Sequence, residues 1–132
     1  LVGSVSGGEG TVAGAVMGVS GDGASLTHSG TITGIGEHLT GMAGSGADIS
    51  LVNEGTVTVQ GLYSTGAHLF GDGWRFTNTG TITGDAYGVR IEGNDGTAIN
   101  NGEILALSRS DAVVGMEVVG DNNLIINTNG IA

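Results

Sequence analysis

The sequence predicts an all-β fold: a parallel β-helix (β-solenoid) of about five to six rungs of 20–27 residues, in a single domain over residues 1–132. A short motif recurs along the chain, clearest in FTNTGTI at residues 76–82, and a second motif precedes each copy at a fixed distance. Glycine is abundant (28 residues), proline is absent and Ile, Val and Leu are plentiful. This composition favours short strands joined by tight glycine turns.

The repeat has two parts, and only one of them is constant in length. One part begins with the pattern apolar-x-apolar-x-Gly, and the other is the motif that ends on Ile or Val. Their anchoring residues are always 15 positions apart: 17 to 32, 42 to 57, 67 to 82, 89 to 104 and 116 to 131. All variation in length falls between each Ile or Val and the next apolar-x-apolar-x-Gly. We therefore expect stacked rungs with insertions at one corner only.

Alternation along each strand orients the side chains. In VRIEG, Val89 and Ile91 point inward while Arg90 and Glu92 point outward. Trp74 shares the inward parity of Phe76, so we expect both rings in the core. One rung cannot bury its apolar side alone, but stacked rungs about 4.8 Å apart can. Because the chain opens on LVGSVSGG without an initiator methionine, we expect it to be part of a longer solenoid.

A polar column runs through the recurring motif. Buried side-chain amides can bond to the equivalent amide above and below, so we predict a structural ladder. Its members are His28, Asn53, Asn78, Asn100 and Asn127. Two residues later come Gly30, Gly55, Gly80, Gly102 and Asn129. Because asparagine is the commonest residue after glycine in the left-handed region, we expect that backbone conformation at these positions.

The strings HSGTITG, NEGTVTVQG and NTGTITGDAYGVRIEG resemble the N-x-G-x-I repeats of bacterial autotransporter passengers. They are similar also to the large exoproteins of two-partner secretion, of the filamentous haemagglutinin kind. The resemblance covers about residues 5–131. It implies a right-handed parallel β-helix stalk that is secreted or held at the bacterial cell surface by an outer-membrane-anchored parent protein, and that often acts in adhesion. No catalytic motif of that family has a counterpart in this sequence.

Composition excludes several classes of partner. The formal net charge is −10, so nucleic acid and anionic membrane surfaces would repel the chain. No apolar run approaches the roughly 20 residues of a membrane-spanning helix, so we expect no membrane insertion. The chain has no cysteine and hence neither a disulfide nor a thiolate metal site.

Two repeated features allow a ligand-binding as well as a structural interpretation. The turn after each apolar-x-apolar-x-Gly strand carries Asp22, Ala47, Asp72, Asn94 and Asp121 in successive rungs. Calcium prefers such oxygens, and Asp22, Asp72 and Asp121 are the candidates, but Ala47 interrupts the column and Asp and Asn are ordinary turn residues. The expectation is a structural turn, with no essential cofactor and no metal.

Threonines form the second feature, in two arrays that we expect to point outward. They are Thr31, Thr56 and Thr81, and Thr33, Thr58 and Thr83. The T-x-T pattern is similar to the ice-binding face of solenoid antifreeze proteins, but threonine is also favoured on strands for packing alone. The fourth rung reads EIL in these positions, so packing is the preferred interpretation.

Catalysis has little support. No serine lies in a G-x-S-x-G turn, only three basic residues are present, and the carboxylates nearest to His68 are expected two columns or two rungs away, at Glu92 or Glu117. We predict no enzymatic activity.

The outward positions of rungs three to five are richer in chemistry than those of rungs one and two. The strands there carry His68, Phe70, Arg90 and Glu92, and the variable corners are expected to hold Tyr63, Tyr87 and Arg109. Exposed aromatic side chains beside arginine are typical of contact surfaces. Tyr63, His68, Phe70, Tyr87, Arg90 and Glu92 are therefore the predicted binding patch, and solvation of the strand with an Arg90–Glu117 pair is the alternative.

These features together predict a structural or adhesive stalk segment of a secreted bacterial surface protein. It would bind a host-cell or extracellular surface ligand, or self-associate through the ends or faces of the solenoid. The alternatives are a ligand-binding solenoid for ice or a glycan, and the non-catalytic scaffold of a secreted enzyme or toxin.

Overall fold

The computed structural model describes residues 3–6, 15–107 and 113–131, and its regular elements are all β-strands. A single strand, β1 (Gly3–Ser6), is followed by five triplets, which we call rungs one to five. They are β2 (Ala15–Ser20), β3 (Ser25–His28), β4 (Thr31–Ile35); β5 (Thr40–Ser45), β6 (Ser50–Asn53), β7 (Thr56–Gln60); β8 (Thr65–Phe70), β9 (Arg75–Asn78), β10 (Thr81–Gly84); β11 (Tyr87–Glu92), β12 (Thr97–Asn100), β13 (Glu103–Ala106); β14 (Val114–Val119), β15 (Leu124–Asn127), β16 (Gly130–Ile131). None of the described residues belongs to a helix that could cross a membrane.

The rungs stack into three sheets. The first strands of the rungs form one sheet in the order β14-β11-β8-β5-β2, and the third strands form another in the order β16-β13-β10-β7-β4. The middle strands form a sheet with β1 at its edge, in the order β1-β3-β6-β9-β12-β15. All pairings between rungs are parallel. The chain completes four turns from β2 to β14, which confirms the predicted parallel β-solenoid.

The constant 15-residue segment is the part of each rung that stays in register. Its starting residues pair across the stack, from Met17 to Met42 and onward to Met116. Its final residues do the same, from Ile32 to Val57 and onward to Ile131. We call the segment between these two columns the arc. Equal arc length lets every residue lie over its equivalent in the next rung.

Inward side chains of all three sheets form one core. Leu26, Ile32, Met42, Leu69, Trp74, Phe76, Ile91 and Ile104 are among its fully buried members. The predicted core position of Trp74 is thus confirmed. Its indole fills a space that glycine makes available: a Cβ atom on Gly96 would lie 2.0 Å from Cε2 of Trp74. Any side chain at residue 96 would therefore clash with the indole in this closely packed core.

The variable corner connects the third strand of one rung to the first strand of the next. It takes ten positions from 32 to 42 and from 57 to 67, seven from 82 to 89, and twelve from 104 to 116. In the shortened third corner, buried Asp85 supplies through Oδ2 the acceptor for the backbone N–H of Gly61. The corresponding N–H one rung earlier, on Gly36, donates to a backbone carbonyl, that of Gln60. In the shorter third corner, the carboxylate of Asp85 therefore takes the place of the backbone carbonyl that accepts the equivalent hydrogen bond one rung earlier.

The N-terminal end of the solenoid departs from the expected parallel arrangement. The short strand β1 pairs antiparallel with β3, Gly3 opposite His28, so not every strand follows the parallel rule. Antiparallel pairing covers the edge of β3 without requiring another rung. Val12, which matches the Ile/Val anchor one repeat before Ile32, lies outside the described residues, which hold five rungs.

The glycines two residues after the ladder positions are required for a different reason from the one expected. Gly55, Gly80 and Gly102 do not have left-handed backbone, and Asn129 is not among the residues with positive φ. Instead, a Cβ atom on Gly80 would lie 1.9 Å from the carbonyl oxygen of Gly55 in the rung before it. Positive φ occurs at another glycine column, Gly21, Gly46, Gly71, Gly93 and Gly120, where φ runs from 114° to 155°. Glycine is needed at the first column for close approach between rungs and at the second for turning.

Candidate contact surface

The polar column of the recurring motif is internal and structural. His28 Nδ1 lies 2.8 Å from Asn53 Oδ1, and each asparagine Nδ2 then donates to the Oδ1 of the next: Asn53 to Asn78 at 2.8 Å, Asn78 to Asn100 at 2.8 Å and Asn100 to Asn127 at 2.9 Å. Because Asn53 Oδ1 is an acceptor, His28 carries its proton on Nδ1. The first four members are buried, whereas Asn127 is exposed. The ladder is present as predicted. Because four of its five side chains are buried, they are not accessible to a ligand.

The Asp and Asn column at the turn after each first strand also bonds between rungs. Asp22 Oδ1 accepts the Ala47 N–H at 3.0 Å, and Asp72 Oδ1 accepts the Asn94 N–H at 2.8 Å. Asn94 Oδ1 accepts the Asp121 N–H at 2.7 Å. The calcium candidates Asp22, Asp72 and Asp121 are each two rungs apart, about 9.6 Å by strand spacing. In the described part of the chain, no three His, Cys, Asp or Glu side chains are grouped to hold a metal ion.

The threonine arrays are in register but are not uniformly outward. Thr31, Thr56 and Thr81 pair across three rungs, as do Thr33, Thr58 and Thr83. Thr83 is only 8% exposed, however, and the next rung continues with Glu103 and Leu105. The expectation that both arrays face outward is therefore wrong at Thr83. What remains on the surface is a small array without the regular extent of an ice-binding face.

We use the name outer face for the outward side chains of β2, β5, β8, β11 and β14. They form two columns in register across the rungs. One column is Gly18, Ala43, His68, Arg90 and Glu117, and the other is Ser20, Ser45, Phe70, Glu92 and Val119. The outer face of rungs one and two thus carries only small residues, of which Gly18 and Ala43 are buried. From rung three onward it becomes charged and apolar.

Four residues of the outer face form an ion cluster. Glu92 bridges two partners: its Oε2 lies 3.0 Å from His68 Nε2, and its Oε1 lies 3.1 Å from Arg90 Nη2. Arg90 Nε lies 3.1 Å from Glu117 Oε2, so the sequence-predicted pair across one rung is present. The expectation that His68 lies far from carboxylates is wrong, because the diagonal neighbour on the next strand is within side-chain reach. These side chains are 29–36% exposed, so each pair contributes at most about 1 kcal/mol.

The two tyrosines of the predicted patch occupy different places. Tyr87 lies within β11 rather than in a corner, and Arg90 Cζ is 5.2 Å from the centre of its ring, in a cation–π contact. Tyr63 does lie in a variable corner, with φ of 62°, where its ring stacks on His38 at 5.0 Å and 18°. Tyr87 therefore belongs with the ion cluster, while Tyr63 belongs to the second corner. Arg109 lies outside the described residues.

A shallow cleft of about 400 Å³ lies beside the ion cluster. Phe70 and Val119 stand on either side of Glu92 in one column, and they are 57% and 50% exposed. Gly71, Gly93 and Gly120 continue the surface into the turns, where Asp72 and Asn94 complete the lining. The single-sequence pattern found Phe70 and Glu92. Asp72 was considered only as a calcium candidate, and Val119 and Asn94 were missed, although their places in the repeated columns are readable in the sequence.

Comparisons of this chain with protein-family models, with curated proteins and with solved structures find no match. The structure defines a β-solenoid protein with an internal asparagine ladder and a chemically varied outer face. The likeness to autotransporter and haemagglutinin-type repeats rests on the repeat motif alone.

Proposed function

We propose that this chain is a structural and adhesive segment of a secreted bacterial surface protein of the autotransporter-passenger kind. The solenoid would be a stiff stalk, and the outer face of rungs three to five would contact a host-cell or extracellular surface ligand, or another copy of the protein. The observation that carries this proposal is the change along the outer face. The same two columns hold Gly18, Ser20, Ala43 and Ser45 in rungs one and two, and large or charged side chains afterwards.

Core packing does not require this change. Outward strand residues add little to the core, so a solenoid that acts only as a spacer could keep small residues throughout. Solvation would account for the ion cluster of His68, Arg90 and Glu92. It does not account for Phe70 and Val119, which are 57% and 50% exposed beside that cluster. Exposed apolar side chains next to arginine and an aromatic ring are typical of protein contact surfaces.

The repeat supports the secreted and surface-attached part of the proposal. The N-x-G-x-I resemblance implies export, and a net charge of −10 favours solubility and disfavours binding to nucleic acid. A continuous ladder supports a rigid solenoid: polar side chains bond along its axis from buried His28 to exposed Asn127. A contact surface on such a scaffold would have fixed geometry.

Attachment of a double variant tests the proposal. Phe70→Ser with Arg90→Ser is compared with the matched control Ile35→Ser with Arg75→Ser, which removes one exposed apolar residue and one arginine from other faces. Surface-displayed protein is assayed for adhesion to host cells and extracellular-matrix proteins, and purified protein is assayed for self-association by sedimentation. We expect the first variant to lose attachment or self-association and the control to retain it, both with unchanged circular dichroism. Equal behaviour of the two variants and the parent would contradict an adhesive role for this face.

A further inference from the structure

The cleft on the outer face is flanked by two apolar side chains, and the lining residue between them, Glu92, has its carboxylate engaged by other side chains. Phe70 and Val119 flank Glu92 two rungs apart, about 9.6 Å by strand spacing. Both carboxylate oxygens of Glu92 are engaged by His68 and Arg90. Gly71, Gly93 and Gly120 add lining without side chains beside these residues. This space suits the aliphatic stem or flat guanidinium of one long side chain.

The rim of the same cleft is acidic. Asp72 belongs to the lining, and Asp121 occupies the same turn column two rungs on. Asp72 uses Oδ1 to accept the Asn94 N–H, so Oδ2 is left for another partner, and the residue is exposed. None of the described residues that line the cleft is basic. Arg90 nearby is already paired with Glu92 and Glu117.

From this juxtaposition we propose that the cleft between Phe70 and Val119 binds an arginine or lysine side chain on an extended basic segment of a partner protein. The inference rests on the proposed contact function and names the chemistry of the partner. The Phe70 ring would receive the cation on its face or pack against its aliphatic stem, and Asp72 would pair with its charge. A long basic side chain matches both an apolar slot and a carboxylate rim. The net charge of −10 would also steer a basic partner toward this surface.

A neutral glycan is the competing occupant, since an aromatic ring and acidic side chains can also hold a sugar. The two occupants differ in their response to charge. A basic segment requires the negative charge of Asp72, whereas a neutral sugar requires only its hydrogen-bond acceptors. Asparagine at residue 72 separates them, because it keeps an Oδ1 for the Asn94 N–H and removes the charge. Asn94 itself fills this structural role in the next rung.

The experiment uses the whole chain and two fluorescein-labelled peptides, one alternating arginine and leucine and one with glutamine in place of arginine. Binding is measured by fluorescence anisotropy for the parent, Asp72→Asn, Phe70→Ser and the matched control Asp22→Asn. Asp22 has the same place in the turn and the same type of backbone bond, to Ala47, but the outer-face residues of its own and the next rung, Ser20 and Ser45, are not aromatic. Unchanged melting temperatures verify that the variants are folded.

We expect the arginine peptide to bind more tightly than the glutamine peptide and to weaken as salt rises from 50 to 300 mM, as a charge interaction should, taking the Debye length below about 10 Å. Asp72→Asn and Phe70→Ser should each raise Kd about fivefold or more, equivalent to about 1 kcal/mol, while Asp22→Asn should change Kd by less than about twofold. Equal losses for Asp72→Asn and Asp22→Asn would show a general effect of net charge and overturn the proposal. Equal binding of both peptides, or binding of neutral oligosaccharides that survives Asp72→Asn, would also overturn it.

The peptide experiment and the attachment experiment can fail separately. If attachment depends on Phe70 and Arg90 but the peptides do not discriminate charge, the adhesive role stands and the basic partner is wrong. If the peptide binds as expected but attachment is unchanged in the double variant, the cleft binds cations and the adhesive role is wrong.

Discussion

The arc and the variable corner of each rung solve the same problem, stacking one turn of chain on the next, in different ways. In the arc, equivalent groups repeat from rung to rung: a polar ladder, amide in all rungs but the first, a glycine that allows close approach in all rungs but the last, and inward apolar side chains. In the variable corner each rung has its own contacts. His38 stacks on Tyr63 in one, and Asp85 completes the hydrogen bonding of another.

This difference explains where the repeat can change length. A repeated group in the arc bonds above and below, so a shift by one residue breaks contacts in two neighbouring rungs. A corner contact joins only one pair of rungs and can be replaced by another local arrangement. The arc therefore sets the register, and the corner accommodates variation, which agrees with 15 constant positions beside corners of seven to twelve.

Insertions should give the largest contrast. Adding Gly-Ser-Gly after Thr77, within β9 of the arc, should abolish cooperative unfolding, because it displaces the middle of the stack. The same insertion after Leu62, in an exposed corner, should leave the β-sheet circular dichroism intact and lower stability by about 1–2 kcal/mol, from loop entropy and the lost His38–Tyr63 stacking. Equal loss of β-sheet signal in both variants would contradict the division into arc and corner.

Removing one member of the ladder should have the next largest effect. Asn78→Leu takes an acceptor from Asn53 and a donor from Asn100, all of them buried, and should destabilise the fold by about 1–3 kcal/mol. Urea unfolding measures the change. Thr79→Leu is the control, since Thr79 is exposed in the following turn and its hydroxyl makes only a 3.5 Å contact with the Asn53 carbonyl. The ladder would lose its assigned role if Asn78→Leu were no less stable than the control.

A single corner contact should matter less, and only locally. Asp85→Ala leaves the Gly61 N–H without its acceptor and should cost about 1–2 kcal/mol, because the desolvation of the lost carboxylate offsets part of the loss. Asp85→Asn retains an acceptor of the same shape and should cost less than Asp85→Ala. The reverse order in urea midpoints would show that charge, rather than the bond to Gly61, determines the choice of Asp85.

The arc could be read from the sequence and the corners could not, for a physical reason. Five copies of one spacing report a repeated geometry, so the register, the ladder and the core position of Trp74 were all predictable. Asp85, His38 and Tyr63 each make a contact that occurs once, and a single occurrence leaves no pattern. Gly80, two residues after Asn78, shows a different limit of the sequence. Close approach between rungs and positive φ both require glycine, so the residue type alone does not tell which of the two applies. Within the candidate contact surface, the outward parity of the strands identified Phe70 and Arg90. The cleft could not be predicted, because its shape depends on side-chain positions such as that of Glu92.

Calcium should have the smallest effect. The oxygens of Asp22 and Asp72 that face the next rung already accept backbone N–H groups, and the two side chains are two rungs apart. Addition of 5 mM calcium should therefore change the melting temperature by less than about 2 °C. A rise in melting temperature of many degrees that a chelator reverses would contradict this. It would show that a metal bound to the turn column stabilises the stacking of the rungs in addition to the ladder.

The exchange of ladder side-chain amide protons with D₂O tests the central claim most directly. If the asparagines form a continuous buried ladder that fixes the register, the Nδ2 protons of Asn53, Asn78 and Asn100 should exchange only with opening of the stack, at rates similar to those of the backbone amides of β6, β9 and β12. The Nδ2 protons of Asn127, which is exposed, should exchange far faster and serve as the internal reference. Exchange of Asn78 at the rate of Asn127 would contradict the account.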